Sequence, residues 1–103
     1  MKNTDDLAKL RAEIDEVDAA LFALLARRFG IVDRVIAVKQ RDGLPAAIPD
    51  RIEEVVKNAL ERAKSTAVPL PLVEQLWREI IAATIHYEEQ AFKPSATIDD
   101  GRA

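Results

Sequence analysis

Residues 7–39 read LAKLRAEIDEVDAALFALLARRFGIVDRVIAVK, with large apolar side chains at Leu7, Leu10, Ile14, Val17, Leu21, Leu24, Ile31, Val35 and Val38, three and four apart, and Arg28 in the one remaining place. Such spacing draws an apolar seam along a helix built to lie against another helix. No proline interrupts Thr4 to Asp42, so the reading is a single helix of about 36 residues, roughly 54 Å long at ~1.5 Å per residue. A compact chain of this length has a diameter of about 33 Å. The helix is therefore expected to overhang its own chain. Left in water, the seam forfeits about 1.5 to 3 kcal/mol for each large side chain. A second copy of the chain is the simplest cover, and an intertwined homodimer is expected.

Composition narrows the rest. A chain of 103 residues makes one domain, at a size where a helical core suffices only if its helices are well packed or shared between chains. There is no cysteine, which removes disulfides, thiolate metal sites and a Cys nucleophile. The opening MKNTDDLAKL lacks the apolar core of a signal peptide, and no stretch approaches the roughly 20 apolar residues that cross a bilayer. A cytoplasmic protein with no membrane partner is expected. The 15 Lys and Arg residues are interleaved with 18 Asp and Glu, giving a net charge of −3, which argues against nucleic-acid binding. Basic residues on or beside apolar faces of an acidic chain instead suggest a pocket for a small anion.

The first helix is expected to begin at Thr4 as N-cap, with Asp5 and Asp6 set favourably against the helix dipole, and to end at Asp42-Gly43. After Leu44 to Pro49, Asp50 is expected to cap a second helix, with Glu53 completing a capping box. That helix should run to about Lys64 and bury Ile52, Val55, Val56, Ala59 and Leu60. Ser65 to Pro71 is a connector whose prolines stop one helix and suit the first turn of the next. The third helix carries Leu72, Val73, Leu76, Trp77, Ile80, Ile81, Thr84, Ile85 and Glu88 at helical spacing. Pro94 should end it, and residues 94–103 read as a disordered tail. The architecture is all-α, three helices (long, short, medium) over residues 1–93. Trp77 and Tyr87 are expected as core and interface anchors. His86, the one histidine, reads as a surface or interface residue rather than a metal ligand.

Arg28 stands in the seam itself. Pattern alone leaves two readings: it fixes helix register while its head reaches water, or it binds an anion. Arg11 and Lys39 flank the seam, where a solvated charge is the ordinary explanation for either taken singly. Together the three cations share one broad side of one helix. Arg11 and Arg28 lie about 25 Å apart along the axis at 1.5 Å per residue. They can share a pocket only if Arg11 comes from another subunit.

The stretch LRAEIDEVDAALFALLARRFGIVDRVIAVK resembles the first helix of the all-helical chorismate mutases, which show a Leu-Arg start, an Ile-Asp pair, a Leu-rich centre closing on an Arg pair, and then a Lys. The resemblance covers roughly residues 5 to 92. It implies an intertwined helical homodimer with two equivalent active sites, and an isomerase that converts chorismate to prephenate in aromatic amino acid (Phe/Tyr) biosynthesis. It further implies that Arg11 is donated across the dimer to substrate carboxylates and that Arg28 grips the side-chain carboxylate. Lys39 matches the lysine at the ether oxygen, and Arg51 a further pocket arginine. Thr84 and Glu88 match a serine and a glutamine. Val35, Ile81 and Ile85 are expected on the apolar wall of the site. The reaction is pericyclic, so no cofactor, metal or nucleophile is implied. The protein need only fold the enolpyruvyl chain over the ring and stabilise negative charge on the breaking ether oxygen. Arg offers two-point grips on carboxylates and Lys a compact charge. A carboxylate at position 88 would repel that oxygen, so Glu88 in glutamine's role must be protonated, and activity should then fall as rising pH ionises it.

Two positions depart from the mutase pattern. Where typical members place an aspartate and a glutamate at the entry to the second helix, this chain has Ile48 and Ile52. The stretch Ala46-Ala47-Ile48-Pro49 is instead similar to the isochorismate-pyruvate lyases, relatives on the same fold that form salicylate and pyruvate. Ile52 also reads simply as a core residue of an amphipathic helix. A third reading is a dimerisation module without activity. Four inward cations would do little for such a module.

Overall fold

The computed structural model describes residues 2–93, with side chains from Asp5 onward. Three helices follow in order: α1 (Lys2–Asp42), α2 (Pro49–Ala63) and α3 (Leu70–Phe92), and no strand occurs among the described residues. The all-α expectation holds, in the order long, short, medium. Residues 94–103, where a disordered tail was expected, lie outside the described residues.

α1 is a 41-residue helix. It starts at Lys2, so Thr4 is an interior residue and not the N-cap; helix starts are the least constrained part of a pattern, because the first turn lacks internal partners. Gly30 lies within the helix, and a Cβ built there meets nothing within 4 Å. The far end closes as expected. Gly43 takes a left-handed φ of +71°, which lets Leu44 N–H reach back to the Lys39 carbonyl at 2.8 Å, the bond of a Schellman cap.

The chain separates into two units, one ending at Val32 and one beginning at Asp33. In the first unit the seam residues Leu7, Leu10, Ile14, Val17, Leu21, Leu24 and Ile31 are all exposed, Val17 to 59%. No apolar side chain of residues 5–31 is buried.

The second unit holds the last turns of α1 and an antiparallel pair, α2 against α3. Its core is small: Ala59, Ala63 and Val73 pack together, with Leu60 and Trp77 against them, so Trp77 is the anchor the sequence suggests. Leu72 and Leu76, read at helical spacing with the rest of that face, are exposed. Arg78 ties the two helices by a fork, Nη1 to Glu53 Oε2 at 3.2 Å and Nη2 to Glu53 Oε1 at 3.1 Å, with Nε on Glu74 at 3.2 Å. The fork holds the Glu53 carboxyl below the usual carboxylate range. Glu53 therefore completes no capping box. The N-cap of α2 is Ile48, which makes no side-chain cap bond; Pro49 at the first helical position starts the helix by its fixed φ, and Asp50 contributes as an acid in the first turn. In the connector, Thr66 Oγ1 donates to the Ala63 carbonyl at 2.7 Å and Ser65 Oγ to the Arg62 carbonyl at 3.1 Å. These bonds satisfy carbonyls that α2 leaves without partners at its end.

Candidate active site

The site is built where the last turns of α1 meet α3 within the second unit. Lys39 and Glu88, 49 residues apart in sequence, form an ion pair of 2.8 Å between Nζ and Oε1, with side chains 14% and 5% exposed. Lys39 Nζ also donates to the Ala46 carbonyl at 2.8 Å. Lys39 is placed by its register on α1, since Ile36 one turn earlier is buried and directs the same face inward. Glu88 belongs to a face of α3 that repeats as Ile81, Thr84, Ile85 and Glu88. Ile81, Thr84 and Glu88 are buried and Ile85 is half-buried. Thr84 Oγ1 donates to the Ile80 carbonyl at 2.7 Å, which fixes its rotamer along the helix. Thr84 and Glu88 are the only buried polar side chains among the described residues. A buried charge persists when it is paired and hydrogen-bonded, and this pair meets both conditions through Lys39 and Ala46.

The remaining sequence-predicted residues fall elsewhere. Arg51, in the first turn of α2, is 64% exposed and gives its Nη1 to Glu54 Oε1 at 2.9 Å. The structure does not bring it to the Lys39–Glu88 pair. Ile48 and Ile52 are half-buried at the start of α2, with Ile52 N–H bonded to the Ile48 carbonyl at 3.0 Å. Val35 is exposed on the seam. Arg11, exposed, and Arg28, half-buried, lie in the unit that ends at Val32. His86 is exposed, and the described residues hold no cluster of metal-ligating side chains. Tyr87 is 41% exposed, and its hydroxyl donates to Asp33 Oδ1 at 2.5 Å. Sequence reasoning missed that bond and the Ala46 carbonyl. The carbonyl carries no signal in sequence, whereas Asp33, an acid between the apolar Val32 and Val35 of α1, offered one for the other.

An open groove of about 530 Å³ lies between α2 and α3, lined among others by Glu53, Lys64, Glu74 and Arg78. Its Lys64 and Arg78 are already paired with carboxylates. The Lys39–Glu88 cluster is the better polar site because it is buried.

The fold and site define an all-helical protein whose first and third helices are joined by one buried lysine–glutamate pair. A family model describing chorismate mutase type II matches residues 10–89, and the chain belongs to that family. It is 36% identical over 89 residues to the T-protein of Enterobacter agglomerans, covering 85% of this chain and 24% of that protein. It is 29% identical over 89 residues to the bifunctional chorismate mutase/prephenate dehydratase of Aquifex aeolicus, covering 84% and 25%. The 4-amino-4-deoxychorismate mutase of Streptomyces venezuelae is 28% identical over 103 residues, 99% of this chain and 100% of that protein. The chain thus spans about a quarter of the T-protein and bifunctional relatives but the whole of the last. No solved structure matches the chain at a significant level.

Proposed function

We propose that this chain is a chorismate mutase, an isomerase that rearranges chorismate to prephenate for aromatic amino acid biosynthesis, acting as a cytoplasmic homodimer. The observation that carries the reading is the buried Lys39–Glu88 pair, at the two positions that the family resemblance assigns to the ether oxygen. In this proposal Lys39 leaves Glu88 for the substrate and places its charge on the breaking C–O bond. Glu88 lines the site beside that oxygen, at the position where the resemblance places a glutamine. The ether C–O bond breaks as a C–C bond forms within one molecule, so no cofactor, metal or co-reactant enters. Arg28 grips one carboxylate, and Arg11 of a second copy the other. Arg51 swings from Glu54 toward the substrate. Thr84, Ile48, Ile52, Val35, Ile81 and Ile85 shape the wall.

The dimer draws support from the exposed seam. Leu7, Leu10, Ile14, Val17, Leu21 and Leu24 are each about half exposed, and covering what remains of six such side chains supplies about 5 to 9 kcal/mol per chain.

Two observations keep related substrates in view. Ile48 and Ile52 put hydrocarbon at the entry to α2, as in lyases that make salicylate from isochorismate. A relative matched over its whole length is named for 4-amino-4-deoxychorismate. The test is to supply chorismate, 4-amino-4-deoxychorismate and isochorismate in parallel. Fastest loss of chorismate with prephenate formed supports the reading. Preferred salicylate formation makes the chain a lyase, preferred turnover of the amino substrate redirects the assignment, and turnover of none leaves a non-catalytic dimerisation module.

A further inference from the structure

We infer that Asp33 and Tyr87 are positioning residues, a strut that holds α3 at its working distance from α1 while Lys39 is engaged with an anion; this rests on the reading of the Lys39–Glu88 cluster as the reactive site. The Asp33–Asp42 part of α1 does not pack backbone to backbone on α3 as α2 does. Long side chains bridge the gap instead. The bonds that cross it include Tyr87 to Asp33 at 2.5 Å, Lys39 to Glu88 at 2.8 Å, and Gln40 Nε2 to the Ala91 carbonyl at 3.4 Å. The last is at the limit of a useful hydrogen bond. Asp33 stands six residues before Lys39 on α1, and Tyr87 immediately precedes Glu88 on α3, so the outer bond fixes the backbone that carries each member of the inner one.

The inner bond is the one that a ligand disturbs. When an anion draws the Lys39 ammonium away from Glu88, the direct tie between α1 and α3 at the site weakens at the moment when both groups must be held in place. The phenol–carboxylate bond does not involve the ligand and is charge-assisted, hence among the stronger kinds. It therefore matters more in the occupied state than in the empty one, where Lys39–Glu88 also spans the gap. That difference separates positioning from plain stabilisation.

The experiment has two arms. In the first, Tyr87→Phe, Asp33→Asn, Asp33→Ala and the Asp33→Ala/Tyr87→Phe double variant are assayed on chorismate. Tyr87→Phe is expected to lower kcat about three- to tenfold with KM changed less than about twofold, and with the melting temperature nearly unchanged. Asp33→Asn, which keeps an acceptor for the phenol, should recover most of the rate. The double variant should be no slower than the worse single one, because the two groups act as a unit. The second arm needs no turnover. In a Lys39→Met/Glu88→Leu background, which removes the inner bond without stranding a buried charge, adding Tyr87→Phe should speed hydrogen exchange of the Thr84–Phe92 amides by about tenfold, against less than about twofold when added to the wild-type pair. Equal acceleration in both backgrounds, or none in either, overturns the strut whatever the substrate is. A wild-type kcat in Tyr87→Phe, or losses in the double variant that multiply, overturns it as well. If the unmodified chain turns over none of the substrates, the functional reading fails, and the exchange arm still decides whether the strut exists.

Discussion

Replacing Lys39 by methionine removes the counter-ion of a carboxylate whose side chain is only 5% exposed. Two bonds are lost at once, to Glu88 Oε1 and to the Ala46 carbonyl, both 2.8 Å. Breaking a buried pair from one side costs about 3 to 5 kcal/mol, because the surviving charge stays in a low-dielectric surrounding. The opposite change is milder. Glu88→Gln keeps an oxygen for Lys39 to donate to and strands an ammonium that is 14% exposed, so a loss of about 1 to 2 kcal/mol is expected. Removing both charges as Lys39→Met/Glu88→Leu should return stability to within about 1 kcal/mol of the starting chain while abolishing turnover. The assay is urea unfolding followed by Trp77 fluorescence at one fixed chain concentration, since a dimer's stability depends on it. The order Lys39→Met worst, Glu88→Gln intermediate and the double variant mildest is the signature of a buried pair. A Lys39→Met chain as stable as the original would refute the reasoning.

Other outcomes follow from single residues. Tyr87 is the only tyrosine, and its hydrogen bond to Asp33 raises its pKa. The bond stabilises the fold while the phenol is protonated and is lost as pH rises through that raised value, so absorbance titration of tyrosinate should give a midpoint above the ordinary value of about 10, and Asp33→Ala should bring it down. Gly30 has open space at its Cβ, and Gly30→Ala should stabilise the chain by about 0.5 to 1 kcal/mol in urea unfolding; destabilisation would mean that another chain approaches the helix there. Leu21→Asp puts a charge in the exposed seam and should turn a dimer into monomer in sedimentation experiments, whereas an unchanged mass would remove the seam from the interface.

The three helices were legible because their signals are local. The seam spacing in α1, the prolines before α2 and α3, and Gly43 each act through neighbouring residues. Starts were misread where two local signals competed: Asp50 looked like a cap, but Pro49 fixes φ one residue earlier and Glu53 is taken by Arg78 across the hairpin. The pairing of Lys39 with Glu88 was not a product of pattern at all. Periodicity put Glu88 on the helical face of α3 but left Lys39 at the flank of the seam, where a solvated charge is the ordinary reading, and only the family resemblance joined two residues that lie far apart in the chain. For Arg51 the resemblance names a pocket role that periodicity does not, and the structure shows it at the surface with its helical neighbour Glu54. The Tyr87–Asp33 bond escaped notice although Asp33 stands between the apolar Val32 and Val35, because nothing local names a partner 54 residues away.

The most direct test of the central claim, one site assembled from two chains for chorismate, is complementation. An Arg11→Ala chain and the Lys39→Met/Glu88→Leu chain, each inactive alone, are unfolded together in equal amounts and refolded. If Arg11 crosses between subunits, half of the dimers are mixed and each carries one intact site, so about a quarter of the original chorismate mutase activity should return. A mixture as inactive as its parts would contradict the account.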